Sequence, residues 1–168
     1  MLIDRSYFTK GSRHILNDTL GTLPNPNARE VVEFIEAFIS EYQEEFLTRL
    51  LGSSVGNRLN AYLVCLDEDE NPAHNERLDA VCDRIREPFA DYVFYKMLGT
   101  TGTDATMNGL VRIKSANTPV SPLRRQVQAW NAMVEKNRSF SAWVSSECDV
   151  SGIEVSEAML TKINSLNL

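Results

Sequence analysis

AREVVEFIEAFISEYQEEFLTRLL, from Ala28 to Leu51, repeats its apolar side chains in steps of three and four. Val31, Ile35, Phe38, Tyr42, Phe46 and Leu50 make one stripe, and Val32, Ile39, Leu47 and Leu51 widen it. That is the period of an α-helix, not the two-residue alternation of a strand. Asn27 can cap its start, with Glu30 three residues on as in a capping box. Gly52 suits its end as a left-handed residue. At 1.5 Å per residue the helix is roughly 36 Å long, enough to cross a whole domain. Its other face is acidic: Glu30, Glu33, Glu41, Glu44 and Glu45.

Toward the C-terminus a second helix is expected over 54–66, although Gly56 weakens it by up to ~1 kcal/mol relative to alanine. The run Asp67-Glu-Asp-Glu-Asn-Pro-Ala-His reads as a loop and 75–86 as a third helix. Pro88 fits the first turn of a fourth, 88–98, where its missing N–H costs nothing. That segment is aromatic and nearly all apolar (Phe89, Tyr92, Val93, Phe94, Tyr95, Met97, Leu98), which places it at the centre of the core. Gly99 closes it. Residues 99–121, rich in Thr, Gly and Asn, read as a long loop or hairpin with Asn108-Gly109 as the turn. Connections that long are uncommon in a compact domain unless functional or disordered.

A fifth helix begins with Ser121 as its cap and Pro122 in its first turn. It shows Leu123, Val127, Trp130, Met133 and Val134, and continues to Val144 with a kink near Asn137. A short last helix is expected over 156–166. Residues 1–27 lack helical period and read as an extended arm, laid along its own domain or donated to a neighbour. The expected fold is mostly α: a single-domain bundle of about five to six helices. It has an arm at 1–27 and a helical domain at 28–168 with a loop insertion at 99–121.

The 168 residues fit one domain. The apolar fraction of 43% and charged fraction of 24% are ordinary for a globular protein. A net charge of −6 argues against broad binding to DNA phosphates, which needs a basic face. Cys65, Cys82 and Cys148 are odd in number and without a CxxC pair, which suits a reducing compartment and small buried hydrophobes. The first residues carry charges where a signal peptide needs an apolar run, so no secretion is expected. No transmembrane span is expected either, because no apolar run is long enough.

Catalytic patterns are weak. Asp67, Asp69 and Asn71 match the opening of a calcium loop, but Pro72 stands where glycine belongs and Leu78 where the bidentate glutamate belongs. His14 and His74 lack metal-ligand spacing. No GxSxG elbow occurs. Gly99-Thr-Thr-Gly-Thr lacks the lysine of a phosphate loop and follows a helix rather than a strand. The aromatic rows Phe34/Phe38/Tyr42/Phe46 and Tyr92/Phe94/Tyr95 read as core. Trp130 and Trp143 read as core too, with one of them suited to anchor an interface. The chain is expected to be no enzyme and to need no cofactor or metal.

Charge is unevenly spread. Ala28–Asp91 holds fifteen acids against six arginines. Ala105–Val134 holds no acid but carries Arg112, Lys114, Arg124 and Arg125. Opposite poles suit binding to copies of itself or to a fixed partner. Thr100, Thr101, Thr103, Asn108, Arg112, Lys114, Arg124 and Arg125 are therefore the expected interface residues.

Three segments together resemble a known group. They are Ile3-Asp-Arg-Ser-Tyr-Phe-Thr-Lys-Gly with its arm, the helix end Glu45-Phe-Leu-Thr-Arg-Leu-Leu-Gly, and Tyr95-Lys-Met-Leu-Gly-Thr-Thr followed by Asn108-Gly-Leu-Val and Ala129-Trp-Asn-Ala-Met-Val. Their order resembles the small helical head–tail connector (adaptor, or head-completion) proteins of tailed phages and prophages, over most of residues 1–145. The resemblance implies a non-enzymatic virion part, in the virion or the bacterial host cytoplasm. Such proteins form a homo-oligomeric ring that meets portal and tail-completion proteins, and DNA passes through its lumen without sequence-specific binding. A ring needs a heterologous, closing interface, and charge segregation offers two patches for it. A small cytosolic protein-binding adaptor or regulatory module is the alternative, and a hydrolase with a site built from acids of the first three helices is a third.

Overall fold

A computed structural model describes residues 1–15, 26–69, 72–100, 104–106, 109–111 and 122–163. Among them run four α-helices: α1 (Pro26–Leu51), α2 (Ser53–Glu68), α3 (Glu76–Thr100) and α4 (Leu123–Ser146). Two three-residue strands, β1 (Asp104–Thr106) and β2 (Gly109–Val111), pair antiparallel between α3 and α4, with Thr106 opposite Gly109. Single 3-10 turns lie at Arg5–Phe8, Gly11–Arg13 and Glu157–Leu160. The protein is mostly α, and two of the expected helices are absent as separate elements for definite physical reasons.

The expected helices 75–86 and 88–98 are one, α3, with Pro88 inside it. An interior proline removes one ladder hydrogen bond and crowds the carbonyl four residues back, at a cost of about 3 kcal/mol. Burial outweighs it. Ile85, Phe89, Tyr92 and Val93, on both sides of the proline, are fully buried, and burying one large apolar side chain stabilises by about 1.5–3 kcal/mol. Gly99 lies within the last turn of α3 rather than beyond it, because the helix continues to Thr100.

Of the expected helix 156–166, Glu157–Leu160 form a single turn and 161–163 a strap that α4 holds with its side chains, while 164–166 lie outside the described residues. Asn137 Nδ2 donates to Met159 O at 2.9 Å and Arg138 Nε to Leu160 O at 3.0 Å. Trp130 Nε1 donates to Thr161 O at 2.9 Å, and Asn131 bonds both the N–H and the C=O of Ile163. These bonds replace a helical ladder, since buried backbone polar groups need partners but not helical ones. α4 itself runs through Asn137 to Ser146 as one element.

α1 and α2 meet in a tight corner. Gly52 turns the chain at φ 79°, in the left-handed region that favours glycine. One turn later Gly56 lies against the backbone of α1. A Cβ there would come within 2.7 Å of Leu47 O and Thr48 Cα. The residue that looked like a weakness in α2 is what lets the two helices approach so closely.

α3 is the central helix. It runs antiparallel to α1, with Phe46 beside Phe89 at 5.1 Å and Lys96 Nζ over Tyr42 at 4.6 Å. α4 returns along another side of it, with Lys136 on Asp91 at 2.6 Å and Trp130 on Tyr95 at 5.0 Å. With 3.6 residues per turn, the face holding Phe89, Tyr92 and Lys96 lies roughly 145° around α3 from the face holding Glu87, Asp91, Phe94 and Tyr95. α1 and α4 thus flank α3 on different sides. The described part of the N-terminal arm folds onto its own chain, with Leu2, Ile3 and Phe8 buried in the core.

Candidate interaction surface

Of the eight expected interface residues, Thr100, Arg124 and Arg125 are described. Thr101, Thr103, Asn108, Arg112 and Lys114 lie outside the described residues. Thr100 is the last residue of α3, exposed, and its hydroxyl donates to Met97 O at 2.9 Å. Arg124 and Arg125 occupy the first turn of α4, both exposed. Arg125 is engaged within its own chain. Its Nη2 donates to Ser12 O at 3.1 Å and its guanidinium lies 5.2 Å from the centre of the Phe94 ring. It lines a cleft of about 250 Å³ with Arg13, Asp91 and Gln128. Arg124 has no hydrogen-bond or ion-pair partner among the described residues.

The acidic pole is smaller than the residue count implies, because several of its carboxylates are neutralised in place. Asp91, 3% exposed on α3, accepts from Arg13 at 2.7 Å and from Lys136 at 2.6 Å. Glu87, one turn earlier, accepts from the same two cations at 2.8 and 3.2 Å. Partial burial would raise the Glu87 pKa, but the hydrogen bonds from Arg13 and Lys136 outweigh it and hold the carboxylate below its usual range. This cluster staples the N-terminal segment and α4 to α3.

A second network fixes α1 to α3. Glu45 accepts from Tyr92 Oη at 2.8 Å and from Lys96 at 3.2 and 3.3 Å, and Arg49 lies 3.2 Å away. Desolvation again works against ionised Glu45, and the donors from Tyr92 and Lys96 win, so its pKa is lowered. Burial, reinforced by the Glu45 carboxylate, pushes the Tyr92 hydroxyl well up, so it stays a neutral donor. The cations in both networks, Arg13, Arg49, Lys96 and Lys136, come from outside the basic segment. Neither Arg124 nor Arg125 is among the cations that pair with these acids.

The aromatic row on α1 is not all core. Phe46 is fully buried, whereas Phe34 is 41% exposed. Phe34 packs on Phe38 at 4.5 Å, and Phe38 on Tyr42 at 5.5 Å. Lys96 covers the Tyr42 end of this row and also lies 5.2 Å from the Tyr92 ring. An ammonium on ring faces with a carboxylate behind it is a favourable cation–π arrangement. Trp130 and Trp143 are both half-buried. Trp130 packs on Tyr95 and is tied to the strap, and Arg84 lies 4.9 Å over Trp143.

One further expectation changes. Only Cys82 is buried; Cys148 is half-buried and Cys65 exposed, because residue 65 falls on the outer face of α2. Asp67, the first position of the calcium-like pattern, pairs with the N-terminal ammonium. His74 is exposed and lies 3.2 Å from Asp79. Among the described residues no three His, Cys, Asp or Glu side chains gather as a metal-ligand group, and no helix is long and apolar enough to cross a membrane. Comparison with protein families, with curated proteins and with solved structures finds no match for this chain.

Proposed function

We propose that this protein is a structural assembly component rather than an enzyme: a head–tail connector of a tailed phage or prophage. Its copies join side by side into a ring at the portal vertex, tail-completion proteins dock on that ring, and DNA passes through it. The motif order described above supports the family. One structural observation carries the assembly reading. The two flanks of α3 offer unlike surfaces, an aromatic and acidic one on α1 and a cationic one at the start of α4. A closing ring requires unlike patches of this kind on each copy. In sequence, Arg112 and Lys114 add to the positive charge that precedes α4.

Charge reversal tests it. Arg125 stays untouched because it packs on Phe94 and Ser12 of its own chain. The double substitution Arg112→Glu, Arg124→Glu is expected to leave the helical circular dichroism and melting temperature unchanged while abolishing ring formation with the portal. A double variant that assembled as the parent does would refute the electrostatic part of the proposal.

A further inference from the structure

Among the described residues, large apolar side chains are exposed at only four positions, and two of these are Phe34 and Leu123. Soluble surfaces show scattered exposed apolar groups, so the position of these two matters more than their number. The Phe34 side chain lies in the first half of α1, and Leu123 opens α4 immediately before Arg124. Because α1 and α4 both run antiparallel to α3, the start of each lies at the C-terminal end of α3. Contacts along α3 show this directly. Tyr42 meets Tyr92 and Lys96, so Phe38 and Phe34 follow beyond. Gln126 reaches Tyr95 O and Arg125 reaches Phe94, so Arg124 and Leu123 follow beyond. The two patches therefore share one end of the bundle but lie on different flanks.

The chain itself displays the chemistry that the first patch favours. Lys96 sits on the Tyr42 and Tyr92 rings with the Glu45 carboxylate 3.2 Å from its nitrogen. One turn toward the helix start Phe34 and Phe38 offer two further rings, 4.5 Å apart, and Glu41 follows Phe38 at the same three-residue offset as Glu45 follows Tyr42. Lys96 serves the Tyr42 end of this row. The matching cation, Arg124 on the other flank, has no hydrogen-bond or ion-pair partner among the described residues. A planar guanidinium is also the better group for lying flat on a ring.

We infer that Arg124 of one copy seats on the Phe34–Phe38 pair of the next, with Glu41 beside it and Leu123 against the rings. The occupant is a second copy of this chain. The inference rests on the assembly reading and specifies the lateral contact. A heterologous contact between patches at one end of the molecule closes a ring where its rotation divides a full turn and adds no rise.

Cross-linking between differently labelled copies tests it. In a Cys65→Ser, Cys148→Ser background, one copy carries Phe38→Cys and a separately tagged copy carries Arg124→Cys. The two are mixed under assembly conditions with a short bis-maleimide. The expected product is a dimer containing both tags, absent from either variant alone. In the parent protein, Phe34→Ala and Arg124→Ala are each expected to weaken self-association by roughly fivefold, the size of one cation–π contact. The double variant is expected to be little worse than either single one. Assembled rings without the mixed cross-link, or with additive effects of the two substitutions, would overturn this contact and leave the assembly reading standing. A parent protein that stays monomeric at every concentration, with and without portal, would overturn both.

Discussion

Replacing Gly56 by alanine sets two physical effects against each other, and the structure says which wins. In an exposed helix interior, glycine to alanine gains about 1 kcal/mol of helix propensity. At Gly56 the new methyl would come within 2.7 Å of Leu47 O, 2.7 Å of Thr48 Cα and 2.8 Å of Leu47 C. Carbon contacts are comfortable at about 3.5–4.0 Å, and all three neighbours are backbone atoms of α1 that no rotamer change can move. α2 would have to withdraw by close to 1 Å, loosening its buried residues Val55, Leu59 and Leu63 in the core they share with Leu47, Leu50 and Leu51 of α1. Overpacking costs about 1–3 kcal/mol, and three close contacts to rigid backbone put this site at about 2–3 kcal/mol, above the propensity gain. The expected net loss is about 1–2 kcal/mol, or a melting temperature lower by roughly 3–6 °C for a domain of this size. Gly99→Ala is the control. Among the described residues its Cβ meets only the movable end of Gln126, at 2.8 Å, so the melting temperature should hold or rise. Thermal circular dichroism of the two variants against the parent reads the difference. A Gly56→Ala protein as stable as Gly99→Ala would mean that α1 and α2 are not in backbone contact.

Asp91→Asn leaves Arg13 and Lys136 facing a neutral group in a largely buried place, and denaturant unfolding should show a loss of about 3 kcal/mol; a loss under about 1 kcal/mol would contradict the central role of the cluster. The lowered pKa values of Glu87 and Glu45 give stability that is fully present above their ordinary unfolded pKa near 4.5. It is lost as pH falls through the lower folded values, so melts between pH 5 and 3 should fall more steeply for the parent than for Glu87→Gln. The Cys82 thiol, pushed up to about 11 by burial, should resist iodoacetamide at neutral pH while exposed Cys65 reacts; mass spectrometry of the native protein decides this.

Much of the helical framework was legible because it depends on local period. The stripe from Val31 to Leu51 and the apolar run Phe89–Leu98 announce α1 and the core of α3 from spacing alone. Three features were not legible, each because a distant contact overrides a local rule. Pro88 reads as a helix start until burial on both sides of it is known. Gly56 reads as a defect until α1 is placed against it. Met159, Leu160 and Ile163 have helical spacing, yet Asn131 and Asn137, more than twenty residues earlier in the chain, supply the hydrogen bonds that hold this stretch as a strap. The surface followed the same logic. Counting charges made the segment 28–91 strongly acidic, but Glu87 and Asp91 are matched by Arg13 and Lys136, partners whose positions in sequence give no hint of contact. Phe34 continues the aromatic row of Phe38, Tyr42 and Phe46 in sequence, and nothing local says that this end of the row is left exposed.

Electron microscopy of the protein incubated with the portal ring that the proposal assigns it tests the assembly claim most directly. The account predicts closed rings of this chain stacked on the portal, with the α1 flank of each subunit against the start of α4 in its neighbour. Particles in which the portal remains bare and this protein stays dispersed as single copies would contradict it.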